Sequence, residues 1–284
     1  MPALKLLSFT GSAVSPLITS NTLTPVGDDS ATIANFRPGT SAQLMKVWTQ
    51  SLSAGFTQIF SAETNDQTTG LRYSFSPLDT AVFSGSAVTV YQGATVSDFM
   101  NSRFPEPLTA GQSLTVRMAT SGSDTSAGIG MLVYYEDQPG INQRLISPSQ
   151  LQYNKTANMQ VLTASGVQYS TTSTALNAAG NSQQLLGNTD YAVLGWTVTN
   201  QDFLGVAIKG PATAGYRIGG PGTAWQPEVT RDYFVKLSLD YGLPLVPVIN
   251  SADLANTFVE VSRAGPGAQA QVFLNLLQLR GSGF

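Results

Sequence analysis

The stretch FVEVSRAGPGAQAQVFLNLLQL, residues 258–279, sets two alternating apolar segments around a glycine-rich turn. Val259 and Val261 flank Glu260, and Val272, Leu274 and Leu276 follow after the turn at residues 264–267. A period of two puts apolar side chains on one face of a sheet and polar ones on the other, so the stretch predicts an antiparallel pair with one face on a core. The same pattern recurs outward. Thr115, Val116, Arg117 and Met118 alternate polar and apolar, and Val235, Leu237, Leu239 and Tyr241 alternate with Lys236, Ser238 and Asp240. Gly (27) and Pro (15) punctuate these runs at the frequency of a sandwich or barrel. Helical turns are expected only near residues 96–102 and 251–256, where Ser and Asp can cap them. The expected fold class is all-β.

Landmarks repeat along the chain. Trp48, then Phe56 and Ile59, then Gly70, Leu71, Arg72 and Tyr73 are followed later by Trp196, then Phe203, Val206 and Ile208, then Gly215, Tyr216, Arg217 and Ile218. Each set closes with a strand, a glycine-rich turn and a more apolar strand: residues 114–118, 122–128 and 131–135, against 258–261, 265–267 and 272–279. The spacing predicts two copies of one sandwich. The joint is expected in the polar stretch around residues 139–165, with domains at 1–150 (an N-terminal arm plus the first sandwich) and 151–284 (the second).

Two sandwiches of this size in tandem, in a chain without His or Cys, resemble the double jelly-roll major capsid proteins of icosahedral, often membrane-containing, viruses and phages. Residues 190–199, DYAVLGWTVT, and the run 244–249 are similar to strand patterns of that family, which has no short diagnostic motif. The resemblance is one of layout over nearly the whole chain. It implies two tandem jelly-roll β-sandwiches, a homotrimer of pseudo-hexagonal outline, and a virion shell built from neighbouring trimers and other capsid proteins, in some cases over an internal membrane.

Composition bears on partners. Charged residues make up 11% of the chain, against ~25% in a typical soluble domain, and Ser, Thr, Asn and Gln supply the polarity instead. Interface cores are depleted of Lys, Glu and Asp, so the surface reads either as one covered by other protein or as that of a low-charge extracellular monomer. With a net charge of −3 and 14 scattered basic residues there is no stripe to neutralise phosphates, which argues against sequence-specific nucleic-acid binding. No apolar run approaches the ~20 residues of a membrane-spanning helix. The opening nine residues resemble a secretory leader only superficially, because Gly11 and Ser12 interrupt them and no cleavage site follows; they read as an ordered arm.

The chemistry of the side chains points away from catalysis. Zero His removes the commonest general base and metal ligand, and zero Cys removes thiol nucleophiles, disulfides and thiolate zinc sites. No nucleophile elbow or phosphate-binding glycine loop is present. The adjacent acids Asp28 with Asp29 and Glu136 with Asp137 point to opposite faces if on strands, so neither makes a catalytic couple, and solvated loop acids are the expected reading. An oxygen-ligand Ca²⁺ site built from Asp28, Asp29, Glu63 or Asp66 is conceivable, but there is no EF-hand loop and none is assigned. Trp48 and Trp196 are expected in cores at matching places, Trp225 in the 219–227 loop as a contact residue, and Arg72 and Arg217 in structural ion pairs or at sheet edges. Tyr134 and Tyr135 could join the tryptophans in a sugar platform. Asn154, Lys155 and Thr156 match a glycosylation sequon of a kind that arises by chance. No catalytic, cofactor or metal residue is assigned. The reading is a structural capsid protein, not an enzyme; the alternative is a carbohydrate-binding or adhesin β-sandwich such as a phage fibre head, with a carboxylate glycosidase third.

Overall fold

A computed structural model of the chain describes residues 1–12, 21–22, 24–25, 40–51, 57–66, 72–82, 90–91, 106–108, 110, 112–120, 126–178, 180–181, 185–199, 201, 203–224, 227–263 and 267–279. Every strand pairing among them is antiparallel, as the alternating patterns require. The first half contributes β1 (Ala3–Ser12), β2 (Asn21–Thr22), β3 (Thr24–Pro25), β4 (Ala42–Ser51), β5 (Thr57–Asp66), β6 (Arg72–Val82), β7 (Val90–Tyr91), β8 (Glu106–Leu108), β9 (Gln112–Thr120) and β10 (Ser126–Tyr135). The second contributes β11 (Leu145–Ile146), β12 (Tyr153–Leu162), β13 (Thr171–Ala175), β14 (Asp190–Thr199), β15 (Phe203–Lys209), β16 (Ile218–Gly222), the helices α1 (Pro227–Thr230) and α2 (Tyr233–Tyr241), then β17 (Val246–Asn250), β18 (Phe258–Ser262) and β19 (Gln271–Leu279). The protein is all-β in class; the 258–279 stretch forms β18 and β19, but these do not pair with each other as expected: β18 lies between β13 and β15, and β19 between β12 and β14 in a different sheet.

Four sheets result. In the first half, β3-β1-β10-β4-β7, with β8 also on β4, lies beside β2-β9-β5-β6 in the sequence order of its strands. In the second, the sheets are β11-β17-β14-β19-β12 and β13-β18-β15-β16. The two orders agree once β2 with β3, and β7 with β8, are counted as pieces of one turn of the chain each. The first strand of each half pairs with the last, the last with the third, and the third with the sixth. The second pairs with the seventh, the seventh with the fourth, and the fourth with the fifth. Two of the repeated landmarks fall on equivalent strands: Trp48 and Trp196 are each the seventh residue of the third strand, although they turn to opposite faces and so do not occupy matching places, and residues 114–118 and 258–261 both lie on the seventh.

The sheet of β1, β10 and β4 is buried on both faces. Leu4, Leu6, Trp48, Leu132 and Tyr134 share one hydrophobic core with Phe203, Leu204, Val206 and the rest of the second half. Leu7, Phe9, Leu44, Met131 and Val133 are equally buried and alternate with those residues, so they occupy the opposite face. Burial on both sides accounts for the near-continuous apolar sequence of β1, where a half-exposed strand would alternate. β15, whose Phe203–Ile208 stretch is wholly buried, behaves the same way.

Four further expectations change. Residues 235–241 form helix α2, not a strand: Tyr233, Phe234, Leu237 and Ser238 are its buried side, while Leu239 is 67% exposed. Phe234, Leu237 and Tyr241 recur at spacings of three and four, a helical pattern that shares only Leu237 and Tyr241 with the expected alternation, and Gly242, in the left-handed region at φ 67°, closes the helix. The opening residues are not an arm but β1, hydrogen-bonded along β10 from Ala3 to Ser12. β11 pairs with β17, so residues 145 and 146 belong with the second sheet pair although they fall within 1–150. Gly219 to Gly222 of the expected Trp225 loop are strand β16. The turn near residue 251 forms as expected, at Ser251–Asp253, with the Asn250 side chain accepting from the Ala252 amide. The turn expected at 96–102 lies outside the described residues.

Candidate functional site

The chemically distinctive region is the seam where the two halves meet. It is built largely from backbone. The Leu6 amide donates to the Arg217 carbonyl at 2.7 Å, continuing the edge of β1 into the second half. Gln143, in the joint, acts as a surrogate strand residue: its Oε1 accepts from the Leu4 amide at 2.7 Å, and its Nε2 donates to the Leu4 carbonyl at 2.9 Å and to the Thr213 carbonyl at 3.2 Å. These contacts satisfy an edge that would otherwise be open to pairing with other chains. Across the sheet face, the Trp48 indole donates to the Leu204 carbonyl, and the Tyr241 hydroxyl, on α2, donates to the Met45 carbonyl at 2.6 Å. Met45 is the bulge residue of β4, where pairing skips from Lys46 to Leu44; the bulge exposes the carbonyl that Tyr241 takes. Burial pushes the Tyr241 phenol up to about 12, with Asp240 adding to it. Small residues permit the approach: a side chain on Gly130 would run into the Trp48 ring, and one on Gly128 into Leu204.

Charges in this sparsely charged chain concentrate beside the seam. Arg217, 2% exposed, places its Nε 3.0 Å from the Glu260 carboxylate, which also faces Lys209 at 3.8 Å, and it donates to the Ser262 hydroxyl. Lys46 approaches Asp240 at 3.8 Å, and Lys5 lies over the Tyr216 ring at 5.7 Å. A separate clasp ties the joint to the second half. Both Arg144 guanidinium nitrogens donate to Asp190, at 3.1 and 2.8 Å, and Asn250 donates to the same carboxylate at 2.8 Å. The Arg144 hydrogen bonds hold the Asp190 carboxyl below its ordinary range, against the opposing effect of burial. Arg263 is buried in the second half, donating to Gln201 and to the Ala164 carbonyl and stacked on Phe203 at 4.6 Å from the ring centroid.

These arrangements hold structure together; they do not assemble a nucleophile with a base. Glu136 and Asp137 are exposed after β10, Glu136 accepting from Gln43 at 2.8 Å and Asp137 from the Met1 ammonium. Tyr134 and Tyr135 are 5% and 1% exposed, which removes them from any surface platform. Glu63 and Asp66 lie along β5, opposite Thr115 and Gln112 of β9, and Arg72 opens β6. Asn154 sits on β12 where pairing skips from Tyr153 to Lys155. Asp28, Asp29, Trp225 and residues 280–284 lie outside the described residues. Among the described residues no three His, Cys, Asp or Glu side chains gather to hold a metal, and no helix is long and apolar enough to cross a membrane.

Sequence reasoning passed over Gln143, Arg144, Asp190, Glu260 and Arg263. For Glu260 a signal existed: it is a lone carboxylate within an apolar run of a chain poor in charge, and a buried carboxylate requires a partner, whereas Asp190 follows the polar Asn188 and Thr189. Gln143 carried none, because its role depends on where β1 lies. No protein-family model matches this chain, and no curated protein matches it.

Proposed function

We propose that the chain is a structural, non-enzymatic capsid protein: two jelly-roll β-sandwiches in tandem that associate as homotrimers and tile an icosahedral viral shell, with neighbouring trimers and other capsid proteins as partners. The observation that carries this reading is the strand order, which among the described residues runs alike in both halves once β2 with β3, and β7 with β8, are each counted together. An eight-strand winding with the first, eighth, third and sixth strands in one sheet and the second, seventh, fourth and fifth in the other is that of a jelly roll. Fusing two through a continuous apolar core makes one rigid block, as a shell tile needs, and 11% charge suits a surface that is largely covered.

The function is mechanical. Load placed on one half passes to the other through packed side chains and the backbone hydrogen bonds of the seam, without a hinge between them. Sedimentation of the purified 29.9 kDa chain over a wide concentration range, with electron microscopy of the fastest species, tests the reading. Trimers and closed shells are expected. A monomer at every concentration that binds glycans would sink it in favour of the adhesin.

A further inference from the structure

Most of the seam is made by residues outside the chain that joins the two halves. The Leu6 amide meets the Arg217 carbonyl, the Trp48 indole meets the Leu204 carbonyl, and the Tyr241 hydroxyl meets the Met45 carbonyl. Lys46 faces Asp240 at 3.8 Å, Gly205 abuts Leu6, and Leu204 abuts Gly128. None of these residues belongs to the joint, residues 136–152. Each contact would therefore form equally well between the first half of one copy and the second half of another.

The joint decides between the two. Before Pro139 it is held by the first half, where the buried Gln138 donates its amide to the Met1 carbonyl at 2.8 Å. From Arg144 onward it is held by the second. The Arg144 amide donates to the Ala212 carbonyl at 2.8 Å, its guanidinium to Asp190, and its carbonyl accepts from the Val248 amide at 2.8 Å. β11 then pairs with β17. Between these anchors Pro139, Gly140 and Asn142 are exposed and Ile141 is half-buried. The segment reverses as a turn, with the Ile141 amide on the Gln138 carbonyl at 3.2 Å and Gly140 in the left-handed region at φ 79°. Gln143 bonds Leu4 of the first half and Thr213 of the second. It follows the turn, so it would stay with its own second half and take the Leu4 of whichever first half docks there.

We infer that the turn at residues 139–142 is what keeps the seam within one chain, and that straightening it makes two copies exchange halves, the first half of each docking on the second half of the other. The partner is a second copy because the surface that fits is the one already seated in the seam. The same contacts are made in both arrangements, so the balance rests on the turn and on the entropy of joining two chains. Gly140 permits the reversal, since a side chain at positive φ is strained. Exchange goes beyond the proposed shell function and does not depend on it.

The test is Gly140→Pro. Proline fixes φ at roughly −65°, which the turn cannot accept, and two prolines in succession favour an extended chain. Equal amounts of isotopically heavy and light chain are mixed unfolded, refolded together and treated with a carbodiimide, which joins Lys46 to Asp240 across the seam without a spacer. Mass spectrometry of that cross-linked peptide then shows whether its two parts came from one chain or two. In Gly140→Pro, folded by circular dichroism, about half of the peptide should be mixed heavy and light, the random value for exchanged pairs, against almost none in wild type refolded dilute. A folded variant whose cross-links stay within one label overturns the inference and leaves the capsid reading standing. If Gly140→Pro does not fold, wild type refolded over about a hundred-fold range of concentration decides: the mixed fraction must rise with concentration, and one that stays near zero overturns the inference. Trimers or shells held by other surfaces leave this link within one label, so assembly and exchange are read separately.

Discussion

The outer faces of β1-β10-β4 and of β12-β19-β14 occupy the same place in the same winding, yet differ in what they present. The first carries Leu4, Leu6, Leu132, Tyr134 and Trp48 and is covered by its own chain. The second carries Asn158, Gln160, Thr197 and Phe273. A permanent contact made during folding can be as apolar as a core. A face that meets solvent before it meets a partner must remain soluble, and uncharged polar groups allow this at lower desolvation cost than charges. The comparison therefore separates an apolar face covered by the second half from a polar one that is half-buried.

The sharpest way to break this comparison is Trp48→Ala. The ring fills the seam above Gly130 and donates to Leu204, so its loss leaves a cavity and an unpaired carbonyl. A destabilisation of ~4 kcal/mol is expected in denaturant melts. Both halves should unfold in one transition because they share one core. A loss below ~1 kcal/mol, or melting of the first half alone, would mean that the seam does not hold the block.

The buried pair beside the seam comes next. Arg217→Met leaves Glu260 in a buried site with Lys209 at 3.8 Å, and should cost ~3 kcal/mol. Adding Glu260→Leu removes the stranded charge and should restore most of the loss, since apolar replacements of buried pairs are often neutral. If the double variant is as unstable as the single one, the pair is needed for more than charge balance.

Away from the seam, Asp190→Asn should cost ~2 kcal/mol, within the range for hydrogen bonds to a charged group. It also has a pH signature. The Asp190 carboxyl is held below its ordinary value in the folded protein, so the unfolded chain binds the proton more readily. Its contribution is complete above the ordinary carboxylate range and is lost as pH falls through the lowered folded value. Stability curves of wild type and Asp190→Asn should converge in acid. Parallel curves would show that the clasp acts through shape and not through ionisation.

Much of this frame could be read from residues, and the failures have identifiable causes. Period-two alternation located β9, β18 and β19, and the spacing of aromatic and glycine landmarks found equivalent strands. The helix at Tyr233–Tyr241 was hidden because Leu237 and Tyr241 fit periods of two and of 3.6 alike. The tryptophans show a subtler limit. Trp48 and Trp196 hold the same ordinal place, but the bulge in β4 falls at Met45, three residues before Trp48, and that in β14 at Leu194, two before Trp196. One residue of difference reverses the face. Trp48 turns into the seam, and Trp196 turns inside the second half, where it donates to the Pro221 carbonyl at 3.0 Å. No pattern in the sequence marks a bulge position. The seam was therefore out of reach even where its strands were not.

The smallest expected effect defines the other side of the comparison. Thr197→Val keeps the β-branched shape that suits a strand and removes only a hydroxyl. Thr197 is half-buried on the outer face, paired with Phe273, and the core lies behind Val198 and Trp196 on the opposite side. That face is tied to the rest of the chain through Asn275, which donates to the Arg231 carbonyl, and Thr197→Val leaves that bond in place, so the stability of the dilute protein should change by no more than ~0.5 kcal/mol, the usual size for a surface substitution. Melts at a concentration too low for association are the measurement. A loss of ~2 kcal/mol or more there would mean that the second face, like the first, is covered from within the chain. The contrast between an apolar covered face and a polar half-buried one would then fail.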